Sequence, residues 1–156
     1  MIAVIQRVAE ASVKVNQKTL GAIGKGLVIF IGIEMEDTES ESCYLAKKIS
    51  ELRIFPDHEK SMNRSVMDVA GKVLIVSQFT LCGNTRKGRR PSFTSSADPK
   101  EGKRLYIHFV NEMKKRGIEC ATGQFGAMMA VSLVNDGPVT FVVESRKWTG
   151  NRVRIP

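Results

Sequence analysis

Two hydroxyls, an amide and a thiol crowd one short stretch of this chain, Ser77-Gln78-Phe79-Thr80-Leu81-Cys82, where the apolar run Val73 to Val76 ends. Hydroxyl and thiol groups attack carbonyl carbon once a neighbouring base or a lowered pKa activates them. With two-residue alternation, Ser77 and Phe79 share one face of a strand and Gln78 and Thr80 the other. Such a cluster either satisfies backbone groups at a strand end or walls a polar pocket. The chain has two histidines, His58 and His108, with no HxxxH and no Asp/Glu cluster at ligand spacing. Neither a His-based triad nor a metal ion is expected from that spacing, and the neighbours of His108 (Tyr106, Ile107, Phe109) suit an ordinary packing position. Cys82 has no helix N-terminus or adjacent His to lower its pKa. No GxxxxGK[ST] or GxGxxG follows a strand, so no cofactor is expected either.

Directly behind this stretch, Thr85-Arg86-Lys87-Gly88-Arg89-Arg90-Pro91 sets four cations in five positions. Flanked by Gly and Pro, they suit an exposed loop, and guanidinium and ammonium groups there match phosphate oxygens or simply keep the loop in water. The wider charge pattern points the same way. Residues 1–78 carry 10 Lys/Arg and 10 Asp/Glu, whereas residues 79–156 carry 14 and 6, which is the whole net charge of +8. Arg146, Lys147, Arg152 and Arg154 add a basic C-terminus around Trp148. A polyanion is the implied partner, nucleic acid before an anionic membrane.

The elements that must hold these groups are readable from local signals. Ala3-Val4-Ile5 and the alternating Ala11, Val13 and Val15 suit a hairpin, with turn residues from Asn16 to Thr19. After the strand Gly26 to Ile33, Asp37-Thr38 is a helix start, followed by Leu45, Ile49 and Leu52 at helical spacing and closed by Pro56. Val66 to Val69 and Lys72 to Leu81 read as a second strand pair around Ala70-Gly71. Asp98 as N-cap, Pro99 and Glu101 open a second helix, with Leu105, Phe109, Val110 and Met113 on one face and a stop at Gly117. Ala127 to Val134 and Val139 to Glu144 read as two last strands. Between them Asn135-Asp136-Gly137-Pro138 reads as the tight turn of a plain hairpin.

Seven or eight strands joined by short turns, with two helices inserted, predict a single α+β domain over 1–156. Its mainly antiparallel sheet curls toward a barrel. No apolar run reaches the roughly 18–20 residues of a membrane span. Arg7 comes too early for a signal-peptide core, and three well-separated cysteines suggest no disulfide framework, so a cytoplasmic location is expected.

Four segments in this order resemble one family over essentially the full length: Ile5-Gln6-Arg7-Val8, Ser77-Gln78-Phe79-Thr80-Leu81, Lys87-Gly88-Arg89-Arg90-Pro91-Ser92-Phe93 and Asn135-Asp136-Gly137-Pro138-Val139-Thr140. The family is the D-aminoacyl-tRNA deacylases, hydrolases of chiral proofreading in translation. The resemblance implies a homodimer with active sites at the subunit interface, and a pocket lined by the catalytic segment Ser77, Gln78, Phe79 and Thr80. It further implies a cis Gly137–Pro138 pair that enters the partner's pocket and rejects L-amino acids, supported by Arg7, Asn135 and Thr140. Phe125 and Met129 are candidate pocket-wall residues, and Lys87, Arg89 and Arg90 are the tRNA contacts. The implied substrate is the acceptor end of tRNA carrying a D-amino acid or glycine, cleaved with help from its terminal 2′-hydroxyl, without metal, cofactor or membrane. Two other functions compete: an RNA-binding module, disfavoured by 6% aromatic content and no RNP-like motif, and a hydrolase using Cys82.

Overall fold

The computed structural model describes residues 1–86 and 88–145. Lys87 and the basic C-terminal residues Arg146, Lys147, Trp148, Arg152 and Arg154 lie outside the described residues. Strand β1 (Ile2–Val15) is one unbroken element where alternation predicted a hairpin. The turn follows it within the expected stretch from Asn16 to Thr19, at Asn16 and Gln17, both with positive φ (47° and 65°). Two consecutive positive values are what a tight hairpin turn needs to match strand twist. The chain then returns along β1 as β2 (Lys18–Ile23) and β3 (Gly26–Gly32). Both pair antiparallel with β1, from Val15↔Lys18 to Ile2↔Gly32.

Strand β3 is followed by helix α1 (Glu39–Glu51), whose start is a complete capping box. Thr38 Oγ1 accepts from the Ser40 N–H at 3.2 Å, and Glu41 accepts from the Thr38 N–H at 2.8 Å. The helix ends at Glu51, five residues before the expected stop at Pro56, because Leu52 is already extended (ψ 121°). Residues 66–70 form turns, not a strand. With no hairpin partner there, β4 (Lys72–Ser77) lies parallel to β3, from Gly26↔Lys72 to Ile31↔Ser77. Helix α2 (Pro99–Lys115) starts as expected, with Asp98 accepting from the N–H groups of Lys100 and Glu101. The short β5 (Cys120–Thr122), absent from the sequence reading, is parallel to β4. The sheet is therefore mixed. Two right-hand neighbours in the order β2-β1-β3-β4-β5 are parallel because α1 and α2 serve as crossovers.

The sheet also curls nearly closed. A Cβ on Gly21 of β2 would lie 3.0 Å from the Thr122 carbonyl oxygen and 3.2 Å from the Ala121 Cβ of β5, so the two ends of the strand order meet. Hydrophobic residues fill both sides of β3. Leu27, Ile29 and Ile31 join Leu45, Ile49, Phe55, Leu105, Phe109 and Met113 under the helices. Val28 faces the other way, with Val8, Val13, Leu74 and Val76.

The last strand, β6 (Ala130–Glu144), decides the site. It runs antiparallel to β1 over the full length of both, so the two expected strands are one. Gln6 pairs with Thr140 and Val8 with Asn135, leaving Arg7 alone opposite four residues, 136–139. A four-to-one mismatch expels the surplus chain from the ladder. The expelled residues are Asp136, Gly137, Pro138 and Val139, and the Gly137–Pro138 peptide is cis. Among the described residues no helix is long and apolar enough to cross a membrane.

Candidate active site

Arg7 is buried, an unusual place for a guanidinium, which must find partners when it loses water. It finds three. One terminal nitrogen donates to the Ile54 carbonyl at 2.6 Å, Nε donates to the Asp136 carbonyl at 2.9 Å, and the Asp136 carboxylate lies 3.1 Å from Nε. Asn135 braces the other side of the expelled segment: its Nδ2 donates to the carbonyls of Arg7 (3.0 Å) and Val139 (3.2 Å). Its Oδ1 occupies the space beside Gly137, where a Cβ would come within 2.2 Å. Only glycine fits there. Thr140, at the end of the segment, accepts from the Gln6 amide at 3.0 Å. Gly137 and Pro138 themselves are exposed, tethered at both ends and open to an incoming molecule.

The second group of predicted residues forms a separate structure. Strand β4 stops at Ser77, and Phe79–Cys82 is a single 3₁₀ turn, so two-residue alternation does not extend past Ser77. The Gln78 N–H donates to the Ile31 carbonyl at 2.8 Å, which holds the exit from the strand. Gln78 Nε2 donates to Thr80 Oγ1 at 2.5 Å. That partner is an amide, which cannot take a proton from the hydroxyl. The histidines are engaged elsewhere: His108 with Ser42 on α1, and His58 with Glu59.

Phe79 is 60% exposed, and its ring meets Phe93 edge-on at a centroid distance of 5.0 Å. Asn84 and Ser92 exchange both backbone hydrogen bonds, at 2.7 and 3.0 Å. Together these contacts pinch the cationic loop shut at its base and hang it beside residues 77–80. Arg86, Arg89 and Arg90 are exposed on it. The Asn84–Ser92 pair had no sequence signal, because an isolated bridge between two loop residues has no periodicity.

A family model described as D-Tyr-tRNA(Tyr) deacylase matches residues 4–144, which include the braced Gly137–Pro138 segment and residues 77–80. The chain belongs to this family. The D-aminoacyl-tRNA deacylase of Desulfatibacillum aliphaticivorans is 57% identical over 146 residues, covering 94% of this chain and 100% of that protein. The one from Syntrophobacter fumaroxidans is 54% identical over 147 residues, covering 94% and 99%. Among solved structures, c-Myc DNA Unwinding Element Binding Protein superposes with a TM-score of 0.88 at 39% identity, covering 94% of this chain and 100% of that one. As a member of the D-Tyr-tRNA(Tyr) deacylase family, the chain is an enzyme of the hydrolase class.

The deacylase fold gives other candidates different surroundings. Phe125 packs against Tyr106 of α2 (centroids 5.7 Å apart), whose hydroxyl donates to the Ile75 carbonyl. Met129 lies over Gly123 and joins the Val13 cluster. Cys82 is buried with its thiol against the Ile33 carbonyl at 3.3 Å, and burial pushes the thiol above its ordinary range. A buried, protonated thiol is a poor nucleophile, so the Cys82 hydrolase is the weaker reading. Among the described residues no hydrogen bond joins 77–80 to 135–138 within one chain.

Proposed function

We propose that this deacylase family member hydrolyses the ester bond of D-aminoacyl-tRNA, and of glycyl-tRNA, while sparing L-aminoacyl-tRNA. What carries the reading is the juxtaposition of the polar turn 77–80 with a pinched cationic loop, on a chain of this family. The ester is already activated, so the enzyme mainly has to place it and stabilise the oxyanion. Water attacks the carbonyl carbon, backbone N–H groups of Phe79 and Thr80 steady the developing negative charge, and the ribose 3′-oxygen leaves with a proton. The neighbouring 2′-hydroxyl of the terminal adenosine takes the part of the missing side-chain base.

Enantiomeric esters share every functional group, so discrimination has to be steric. Gly137 and Pro138 present backbone to the pocket with no Cβ on Gly137, and Arg7 and Asn135 hold that backbone in place. An L side chain would overlap this wall, whereas glycine would pass. Excluding the wrong isomer in this way does not tighten the right one. The wall of one copy serves the 77–80 turn of a second copy in a homodimer. Support for that pairing comes from exposed apolar side chains on β6 (Val134, Phe141, Val142) and from Phe79. The deciding assay measures turnover of D-tyrosyl-, glycyl- and L-tyrosyl-tRNA. The first two should exceed the third by at least about 100-fold, equivalent to about 2.7 kcal/mol at the transition state. Equal rates on the D and L forms would refute the proposed wall.

Arg89 and Arg90, with Lys87, serve as phosphate contacts for the acceptor stem. Replacing Arg89 and Arg90 by Ala should weaken tRNA binding and flatten the plot of log K against log salt. Each lost phosphate contact should change the slope by about 0.7–0.9. A loss of affinity at unchanged slope would assign the loop a structural role instead.

A further inference from the structure

Spacing along the chain gave no reason to expect metal ligands, yet packing α1 against α2 assembles a set. Cys43 of α1 and His108 and Glu112 of α2 bring a sulfur, an imidazole nitrogen and a carboxylate oxygen within 4.8 Å of one another. Each helix contributes to the cluster at i and i+4: Glu39 and Cys43 on α1, His108 and Glu112 on α2. Positions four apart lie on one helical face. The Nε2 atom of His108 is 3.6 Å from Glu39 and 4.0 Å from Glu112.

We propose that Cys43, His108 and Glu112 form a binding site for a borderline-soft divalent cation, zinc above all, that ties α1 to α2. The donor set is one thiolate, one imidazole and one carboxylate, the mixture zinc accepts in a tetrahedral site. Ligand atoms in such a site stand about 3.4–3.6 Å apart, given bonds of roughly 2.0–2.3 Å. Closing from the present separations needs shifts of about an ångström at side-chain ends, with Glu39 or water in the fourth position. The imidazole is already oriented. Ser42 is fully buried, and its hydroxyl lies 2.9 Å from His108 Nδ1. When Nδ1–H donates to it, the lone pair of Nε2 faces the carboxylates, an outer-shell arrangement typical of metal-bound histidine.

Two cations compete for the carboxylates: Lys115, 2.6 Å from Glu112, and Arg104, paired with Glu39. Lys115 is 71% exposed and can swing into water at little cost. Binding forms the metal–sulfur bond as the Cys43 thiol releases its proton to solvent. The residues proposed for ester hydrolysis lie on β4, the 3₁₀ turn and β6, so the cation takes no part in that chemistry.

The test is a Co²⁺ titration of the chelator-treated, full-length protein, followed by absorption and by displacement with Zn²⁺. One Co²⁺ per chain should bind, with a thiolate-to-cobalt charge-transfer band and tetrahedral visible bands that zinc abolishes. Cys43→Ser should remove the charge-transfer band. His108→Gln should weaken Co²⁺ binding at least about 100-fold, and Ser42→Ala, which acts through the ring, about 10-fold. Circular dichroism checks that each variant is folded; should Cys43→Ser misfold, His108→Gln decides. Absence of stoichiometric binding in the parent protein, a band that survives Cys43→Ser, or unchanged affinity in His108→Gln would overturn the site.

Discussion

A tRNA whose terminal adenosine lacks its 2′-hydroxyl should be hydrolysed about 10²–10⁴-fold more slowly than the ribose form, the range that one positioned acid–base group contributes. Thr80→Ala should lose less than about 10-fold on the natural substrate. The difference follows from what surrounds Thr80. Its Oγ1 accepts a hydrogen bond from the Gln78 amide, and both histidines make their contacts elsewhere, so among the described residues no hydrogen-bonded base stands at its hydroxyl. Single-turnover rates on the two tRNAs, with parent and variant enzyme, give the comparison. An inactive Thr80→Ala with a normal deoxy substrate would make Thr80 the nucleophile and reverse this account.

Arg7→Ala should be the most damaging single change away from residues 77–80. It would strip the buried Ile54 carbonyl and the partly buried Asp136 carbonyl of their donor. Each unsatisfied group costs about 1–3 kcal/mol. A total of roughly 2–4 kcal/mol would lower Tm by about 5–15 °C in a chain of this size. The functional effect should be separable from the loss of stability. With the Asp136 end of the expelled segment released, the backbone at Gly137 and Pro138 can yield, and L-tyrosyl-tRNA should begin to turn over. Well below the variant's Tm, the ratio of D to L rates should fall at least about 10-fold. Arg7→Lys should not restore it, because one ammonium cannot reproduce a fork spanning two carbonyls. An unchanged ratio in a folded Arg7→Ala protein would show that the segment keeps its shape without this brace.

The same Arg7 shows where reading a sequence stops. Helix α2 was legible in detail, since Asp98 caps N–H groups within three residues of itself, Pro99 stands at the first turn, and the apolar face repeats within two turns. The N-cap signal at Thr38 that starts α1 was equally local. The four motifs were legible as words, and their order carried the family. Their geometry was not, because strand register is a contract between distant segments that no local rule contains.

Asn135 to Pro138 look like any tight turn until β6 is laid along β1 and one residue is found facing four. Only then does a strand arginine acquire a purpose. Crossovers worked the same way: β4 lies parallel to β3 because residues 66–70 turn without pairing and α1 returns the chain, a choice made by burial on both faces of β3. Composition, charge asymmetry, helix ends and motif order were thus determined by the sequence alone, through interactions a few residues long. The mixed sheet, the braced Gly137–Pro138 segment, the pinched basic loop and the Cys43–His108–Glu112 cluster were decided by tertiary packing, because each joins residues whose proximity depends on the whole fold.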